Sequence, residues 1–234
     1  EIEERYNHGK GCALPTAREL PVDIEFNNVS FKYPSSDGEK YALENINLKI
    51  RKGEKLAIVG ANGAGKTTLV KLLCGFYYPT EGNIKLNGHE ISEYNIEEYY
   101  SLISAVFQDI YLLPVTIAEF VSSSENEIDR EKVTDVIRQA GLEDKVKTLP
   151  NGIDSKLMKG VFDDSIEMSG GEKQKLMLAR ALYKDAPIIV LDEPTAALDP
   201  IAENKLYLKY SELTANKTSV YISHRLASTR FCDR

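Results

Sequence analysis

A glycine-rich stretch in the first third of the chain has the residue types and spacing of a phosphate-binding loop. "GANGAGKT" places Gly60, Gly65, Lys66 and Thr67 in the frame G-x-x-x-x-G-K-[ST]. Glycines let backbone N–H groups wrap around phosphate oxygens, and the helix that follows adds a favourable dipole. A glycine-rich turn that binds nothing is the alternative. The strand-like "LAIV" before the motif and the helix-like "TLVKLLCG" after it favour phosphate binding.

Two carboxylates follow another apolar run. "IIVLDE" ends with Asp192 and Glu193, and alternation along a strand would point the two side chains to different sides. One carboxylate can then address Mg²⁺ through water, and the other can address an attacking water molecule. A solvated acidic strand end is the alternative, and the phosphate loop in the same chain argues against it.

Two further polar residues follow apolar runs: His224 comes after "SVYIS", and Gln108 comes after "SAVF". Ligands of open α/β sheets bind outside the carboxyl ends of the strands. The strands before Gly60, Asp192 and His224 should end at one edge of the sheet, so His224 is predicted to contact the γ-phosphate. A structural histidine and an ordinary loop glutamine are the alternatives.

A second stretch has the composition of a helix start that an anion approaches. Ser169-Gly170-Gly171-Glu172 fits the capping box S-x-x-E, and a well-capped helix is the simplest interpretation. Two glycines weaken a first turn by roughly 0.8–1.0 kcal/mol each relative to alanine. A purely structural cap would not favour both of them. The pattern therefore predicts that a ligand comes close to this backbone.

The apolar pattern predicts the elements that must position these residues. "KLAIVG", "PIIVLDE" and "TSVYISH" are nearly continuous apolar runs, as expected for strands buried on both faces of a parallel sheet. Upstream, "DIEFNNVSFKY" and "INLKI" alternate apolar and polar residues, and Asn87-Gly88 is a hairpin signal. The chain therefore begins with an antiparallel β region.

The region between about residues 92 and 168 is less regular and rich in helical patterns. In "REKVTDVIRQAGL", Val133, Ile137 and Ala140 have helical spacing. We therefore expect an α/β fold with a mostly parallel sheet, an N-terminal antiparallel β subdomain and an inserted helical subdomain.

The composition excludes several classes of protein. A formal net charge of −7 argues against nucleic-acid binding as the main function. Cys12, Cys74 and Cys232 lack metal-ligand spacing and fit a reducing compartment. No apolar run approaches the ~18 residues of a membrane-spanning helix. The chain starts without Met and ends at "RFCDR", so we expect it to be a piece of a longer protein.

Over residues 21–234 the sequence resembles the nucleotide-binding domain of ATP-binding cassette (ABC) transporters. "GANGAGKTT" is similar to the Walker A motif of this family, "IIVLDE" to its Walker B motif, and "MSGGE" to its signature, usually Leu-Ser-Gly-Gly-Gln. "ALD", which ends at Asp199, resembles the D-loop. Gln108 resembles the Q-loop glutamine, His224 the switch histidine, and Tyr33 the aromatic residue that stacks on adenine. The resemblance implies a P-loop NTPase core.

The same resemblance implies that the ligand is ATP and that its metal ion is Mg²⁺. The residues it assigns to hydrolysis are Lys66, Gln108, Glu193 and His224. The residues it assigns to the metal are Thr67, Gln108 and Asp192. The residues it assigns to ATP are Tyr33, Gly60, Asn62, Gly63, Ala64, Gly65, Lys66, Thr67, Thr68, Ser169, Gly170, Gly171 and Asp199.

In this family two domains pack head to tail, and the signature helix of one caps the ATP on the Walker A loop of the other. The resemblance therefore implies that Ser169, Gly170 and Gly171 contact the γ-phosphate bound to the partner domain. Met168 replaces the usual leucine, which is a mild apolar exchange. Glu172 replaces glutamine and brings a negative charge near an ATP site, although it can bond back to the Ser169 backbone N–H.

"VDIEFNNVSFKYP" and "SAVFQDIYLLPVTIAEFV" are most similar to the exporter branch, in which the ATPase domain follows a membrane domain on the same polypeptide. Residues 1–20 would be the linker from that domain, residues 21–234 the ATPase domain, and residues 92–168 its helical subdomain.

The implied partners are a second ATPase domain and the transmembrane domain of the same transporter, without nucleic acid. The implied location is the cytoplasmic face of the cell membrane. Because family members continue beyond the switch histidine, we expect a truncated C-terminal end.

Three other functions fit parts of the pattern. A stand-alone importer subunit is disfavoured by the lead-in at residues 1–20. A soluble ABC ATPase acting on DNA or ribosomes is disfavoured by the acidic balance and by the lack of a long coiled-coil insertion. A regulatory module without catalysis is disfavoured by Glu193 and His224. The absent membrane domain would set the transported substrate.

Overall fold

The structure is a computed structural model that describes residues 13–15, 20–34, 40–158, 160, 165–193, 200–223 and 230–234, without side chains for 200–205. Asp199 and His224 lie outside the described residues, as does most of the predicted linker. The chain divides into two compact units. The first comprises Glu1–Ala105, Ala186–Glu193 and Thr214–Arg234, and the second comprises Val106–Asp185 and Pro194–Leu213. The domain bounds expected from the sequence stay a prediction.

The first unit contains both described sheets, except for Val106, the last residue of β6. Its elements, in chain order, are β1 (Ile24–Phe31), β2 (Leu43–Ile50), β3 (Lys55–Val59), α1 (Lys66–Leu73), β4 (Glu81–Leu86), β5 (His89–Glu90), α2 (Ile96–Ser101), β6 (Ile103–Val106), β7 (Ile188–Asp192) and β8 (Thr218–Ser223). A 3-10 helix, Ile91–Glu93, lies between β5 and α2.

The antiparallel sheet has the strand order β2-β1-β4-β5. The hairpin predicted at Asn87-Gly88 is confirmed, since Leu86 of β4 pairs with His89 of β5. Asn87 and Gly88 have φ values of 49° and 87°. Two successive positive φ values are typical of the type I′ turn, whose twist matches that of the two strands.

The second sheet of this unit has the order β3-β8-β7-β6, and β8 pairs in parallel with both β3 and β7. Val59 is in register with Ser223, and Asp192 is in register with Ile222. The prediction that the strands before Gly60, Asp192 and His224 end at one edge is therefore confirmed. This edge positions the phosphate loop and the two carboxylates.

The prediction of full burial holds for two of the three apolar runs. Every residue of β7 and β8 is buried. It is wrong for β3, where Val59 is 45% exposed. The reason is that β3 lies at the margin of the described sheet. Its outer side bonds instead to the last residues, because Asp233 N–H donates to Lys55 O at 2.8 Å and Ala57 N–H donates to Arg234 O at 2.7 Å.

The C-terminal half of α1 is largely buried, and its end is hydrogen-bonded to α2. Val70, Leu72 and Leu73 of α1 are fully buried. Tyr99 of α2 is 1% exposed, and its hydroxyl donates to Leu73 O at 2.6 Å. Burial raises the pKa of Tyr99 well above its ordinary value, so this hydroxyl keeps its proton as a hydrogen-bond donor.

The second unit is helical. Its elements are α3 (Ile117–Ser122), α4 (Arg130–Ala140), α5 (Glu143–Lys147), a 3-10 helix at Gly152–Asp154, α6 (Gly170–Lys184) and α7 (Pro200–Leu213). The helix predicted from Val133, Ile137 and Ala140 is confirmed as α4, and all three residues are buried. Helix α6 packs against α3 and α4. Among the described residues, the helices lack the combination of length and apolar character that a membrane crossing requires.

Candidate functional site

The phosphate loop runs from the end of β3 at Val59 to the start of α1 at Lys66. Gly65 caps α1 with φ 87°, a left-handed conformation that favours glycine. A Cβ atom at Gly65 would lie 2.6 Å from Leu43 Cδ2 and 2.7 Å from Ala42 O. Gly63 also has a positive φ, but a Cβ there would meet open space. Gly65 is therefore required for packing, whereas Gly63 leaves room beside the loop.

The start of α1 is suited to an anion. Among the described residues, no side chain caps this helix, and its first turn contains no acidic residue. Thr67 and Thr68 follow Lys66 in that turn. The exposed N–H groups and the dipole of a helix N-terminus favour negative charge. This arrangement supports the predicted role of residues 60–68 in binding phosphates.

The Lys66 ammonium group folds back over the loop. Lys66 is 8% exposed, and its Nζ donates to Gly60 O and to Ala61 O, each at 2.9 Å. Two neutral carbonyl oxygens compensate a buried ammonium less well than anionic phosphate oxygens, because hydrogen bonds between charged groups are stronger. A phosphate group that enters the loop can therefore replace these carbonyl oxygens as the partner of Lys66.

Two residues predicted to hold the metal ion lie together in the first unit. Thr67 Oγ1 donates to Asp192 Oδ2 at 3.0 Å. Asp192 is the last residue of β7 and is 3% exposed. Burial raises the pKa of Asp192, the charge of Glu193 raises it further, and the hydrogen bond from Thr67 opposes both effects. A cation beside this carboxylate would stabilise its charged form.

A hydroxyl and a carboxylate are oxygen ligands of the kind that Mg²⁺ prefers. Within the described part of the chain, no three His, Cys, Asp or Glu side chains cluster into a metal cage. Mg²⁺ is usually bound by one or two protein oxygens together with water and substrate phosphates. Thr67 and Asp192 therefore fit Mg²⁺ that arrives with a nucleotide. Gln108, the third predicted ligand, belongs to the second unit.

Glu193 lies just beyond the strand. Because β7 ends at Asp192, the expected alternation of the two carboxylates along a strand does not apply. Glu193 has φ 49°, and its backbone N–H donates to Ile222 O at 3.0 Å. A positive φ is uncommon for a residue other than glycine and costs about 1–3 kcal/mol; such conformations cluster at functional sites. Its role as the catalytic base stays a prediction.

Tyr33 lies beside the first turn of α1. Its hydroxyl is 3.0 Å from Thr68 Oγ1. The ring is edge-on to Phe31, with centroids 5.0 Å apart, and to Tyr77, with centroids 5.5 Å apart. We call Phe31, Tyr33 and Tyr77 the aromatic corner. Sequence reasoning found Tyr33 but missed Tyr77, which follows α1 and has no motif of its own.

The signature stretch forms a capping box in the second unit, as predicted. Ser169 is the N-cap of α6, and its Oγ accepts from Glu172 N–H at 3.3 Å. Glu172 Oε2 accepts from Ser169 N–H at 2.8 Å. Ser169 and Gly170 are exposed, and Gly171 is half-buried. The backbone that the sequence expects a ligand to approach is therefore accessible within this unit.

A residue that sequence reasoning missed contacts the same carboxylate. Lys145 Nζ of α5 lies 3.3 Å from Glu172 Oε1. Burial acts to raise the pKa of Glu172, but hydrogen bonds from Ser169 and Lys145 outweigh it and hold that pKa below its ordinary value. No sequence spacing links positions 145 and 172, since α5 and α6 are separate helices.

The remaining predicted residues are placed as follows. Gln108 is exposed and follows β6 in the second unit. Asn62 and Ala64 lie within the phosphate loop, and both are exposed. The first unit thus brings together the loop, Thr67, Asp192, Glu193 and Tyr33, and the second unit holds Gln108 and residues 169–171.

The chain is similar to known proteins. A family model described as ABC transporter matches residues 43–196. The chain is 40% identical over 215 residues to an ATP-dependent lipid A-core flippase of Cupriavidus pinatubonensis, covering 91% of this chain and 35% of the flippase. It is 37% identical over 212 residues to the ATP-dependent lipid A-core flippase of Escherichia coli K12, and the match covers 90% of this chain and 35% of that flippase.

A solved structure, a bacterial Atm1-family ABC exporter with ATP bound, is also similar. It superposes with a TM-score of 0.80 at 31% sequence identity and covers 90% of this chain. The chain spans 36% of that exporter and 35% of the Escherichia coli flippase.

Proposed function

Because the chain belongs to the ABC transporter family, as an ATP-binding and ATP-hydrolysing domain, we propose that it powers an exporter. In this proposal ATP closes two such domains head to tail, and hydrolysis lets them open. The observation that carries the proposal is the hydrogen bond between Thr67 and Asp192, 3.0 Å long. It joins the first turn of α1, directly after the phosphate loop, to the carboxyl end of β7, directly before Glu193.

The first step is binding of the triphosphate. Lys66 exchanges the carbonyl oxygens of Gly60 and Ala61 for β- and γ-phosphate oxygens, and the N–H groups at the start of α1 bind the rest. Phosphoryl transfer depends mainly on positioning and on electrostatic stabilisation of the phosphate oxygens. Thr67 and Asp192 would hold Mg²⁺, which when bound offsets part of the phosphate charge. Tyr33 stacks on the adenine ring.

The second step is attack by water. Glu193 accepts a proton from the attacking water molecule, and its left-handed backbone, fixed by the bond to Ile222 O, sets the direction of its side chain. His224 steadies the water and the γ-phosphate. Gln108 and Asp199 complete the site as the resemblance assigns them.

The site also requires a partner domain. Ser169, Gly170 and Gly171 bind the γ-phosphate of a nucleotide held by a second copy or a homologous domain. The accessible start of α6 supports this assignment, because it offers a serine hydroxyl and backbone N–H groups that an anion can reach.

The transmembrane domain is the other partner. In the second unit, Tyr111 is 82% exposed, Leu113 56% and Met158 39%. Tyr111 and Met158 also line a cavity of about 390 Å³. Exposed apolar residues beside a cavity are typical of interaction sites. We assign this surface to the membrane domain, and we propose that the chain lies at the cytoplasmic face of the membrane, with residues 1–20 as the connecting linker.

Replacement of the two carboxylates tests the mechanism. Glu193→Gln leaves Thr67 and Asp192 in place, so ATP binding should persist while hydrolysis falls by about 10²–10⁴-fold. Unhydrolysed ATP should then hold dimers together, which light scattering detects. Asp192→Asn should instead weaken Mg²⁺-dependent closure. Hydrolysis at the wild-type rate in Glu193→Gln would show that Glu193 is not the base.

A further inference from the structure

The start of α6 presents a charge problem. Under the proposed function, on which this inference rests, the first turn of α6 faces the γ-phosphate of a nucleotide. Glu172 is the third residue of that turn and carries a carboxylate. Like charges at short range repel, and this repulsion is strongest where water is partly excluded. A carboxylate at this position should therefore oppose the closure that ATP drives.

The structure shows how this charge is compensated. The two oxygens of Glu172 have different partners: Oε2 accepts from Ser169 N–H at 2.8 Å, and Oε1 lies 3.3 Å from Lys145 Nζ. The side chains of Lys145 and Glu172 are 33% and 25% exposed, so the pair is partly shielded from water. A cation fixed beside the carboxylate cancels most of its field at the phosphate.

Two neighbouring lysines of this region have other partners. Lys147, also on α5, pairs with Glu143 at 2.8 Å. Lys175, one turn further along α6, donates to Gly141 O at 3.2 Å. Lys145 is the lysine that forms an ion pair with Glu172, and Lys147 is a matched control on the same helix.

We propose that Lys145 is a positioning residue of the ATP site, which neutralises Glu172 so that this carboxylate can cap α6 without repelling the phosphates of the partner's nucleotide. Together, Glu172 and Lys145 cap α6 without a net charge, as the neutral glutamine that is usual at this position of the signature would do alone. Lys145 contacts neither ATP nor the attacking water molecule in this assignment. It acts through Glu172.

The proposal predicts that loss of Lys145 weakens ATP-driven association. In the full chain carrying Glu193→Gln, the added Lys145→Gln should raise the ATP concentration for half-maximal dimer formation by about tenfold, which lies between the effects of one charge contact in water and of one near a protein surface. Lys147→Gln should leave this concentration unchanged. Lys145→Arg, which keeps the charge, should stay close to the parent.

Two readouts separate a charge effect from a structural one. Glu172→Gln added to Lys145→Gln removes the unpaired carboxylate, so it should restore the parent ATP requirement. Raising the salt from about 0.1 M to about 1 M shortens the Debye length from ~10 Å to ~3 Å, so the defect of Lys145→Gln should shrink. Thermal unfolding of each variant checks that the fold is kept.

Three outcomes would overturn the inference. The first is an ATP requirement of Lys145→Gln equal to that of Lys147→Gln. The others are a raised ATP requirement of Lys145→Gln that Glu172→Gln does not repair, or one that does not depend on salt. If Lys145→Gln does not fold, the Glu172→Gln single variant decides: an ATP requirement above that of the parent overturns the inference. Failure of the proposed function has its own signature, since the parent would then form no ATP-dependent dimer and Ser169→Ala would change nothing.

Discussion

Gly65 lies at the junction of the phosphate loop and α1, where the backbone allows no side chain. Gly65→Ala adds a Cβ atom 2.7 Å from the Ala42 carbonyl oxygen, at φ 87°. We expect the free energy of unfolding to fall by more than about 3 kcal/mol, since backbone strain and a clash with the main chain add. Urea unfolding measures the loss.

Gly63→Ala is the matched control for this prediction. Its φ is also positive, at 77°, but its Cβ would meet no atom within 4 Å. It should lower the free energy of unfolding by only about 1–2 kcal/mol, the strain of the left-handed conformation. Equal losses in the two variants would contradict the role assigned to the contact at Gly65.

Tyr33 is expected to contribute to nucleotide binding through the face of its ring. Tyr33→Ala removes the stacking surface and should weaken ATP binding by ~1–3 kcal/mol in calorimetry. Tyr33→Phe keeps the ring and loses the hydroxyl contact with Thr68, so it should retain most of the affinity. An ATP affinity that Tyr33→Ala leaves unchanged would remove Tyr33 from the site.

Local sequence determines some of these residues and not others. The motif predicts that Lys66 and Thr67 begin a helix, because the spacing of glycines, lysine and threonine is itself the structural requirement. The left-handed backbone of Glu193 was not predictable, since it depends on a hydrogen bond to Ile222, distant in sequence. The contact of Lys145 with Glu172 joins two helices and leaves no local pattern.

At the scale of elements, α2 fixes the C-terminal end of α1 through Tyr99. Tyr99→Phe removes the 2.6 Å hydrogen bond to Leu73 O and leaves that carbonyl without this donor. We expect the free energy of unfolding to fall by about 1–3 kcal/mol, the cost of an unsatisfied buried group. Nucleotide binding should persist, because the start of α1 is at the opposite end of the helix.

Tyr94→Phe is a suitable comparison, since Tyr94 is buried as well but its hydroxyl donates to Leu86 O over a longer distance, 3.3 Å. The longer bond should be worth less, so the urea midpoint of Tyr94→Phe should lie above that of Tyr99→Phe. The reverse order would mean that Tyr99 does not fix α1 in this way.

The apolar runs predicted the strands, but not their places in the sheet. "KLAIVG" and "TSVYISH" look alike in sequence, yet β8 has described neighbours on both sides and β3 has one. Burial of a strand depends on what covers it, which a short run does not record. Helix α4 was more predictable, because Val133, Ile137 and Ala140 form one face and Gly141 ends the helix in a left-handed conformation.

At the scale of the whole molecule, the assignment of Ser169 to a partner's nucleotide has a direct test. Lys66→Ala chains and Ser169→Ala chains should each be inactive alone. In a mixed dimer one site keeps both intact residues and the other site loses both. Mixing should therefore recover part of the ATPase activity. If mixing recovers none under conditions where wild-type chains dimerise, Ser169 does not act on a partner domain.

The sequence predicted two functional surfaces, the phosphate-binding residues and the signature residues, but not how these surfaces pair across two domains. Phosphate-binding residues lie in the first unit, and the signature residues lie in the second. Each surface follows from a local motif, whereas pairing of surfaces across two domains depends on a complex that one chain's pattern does not encode.

The aromatic corner also makes the protein accessible to optical spectroscopy. The sequence contains 13 tyrosines and no tryptophan. Tyr33→Trp would therefore give this chain one indole fluorophore. It would stand where the Tyr33 ring lies edge-on to Phe31 and Tyr77, beside the first turn of α1. The indole can be excited at a wavelength where tyrosine absorbs little. A purine that stacks on the indole ring would quench its emission. The binding and release of nucleotide could then be timed in stopped flow, without labelling the protein.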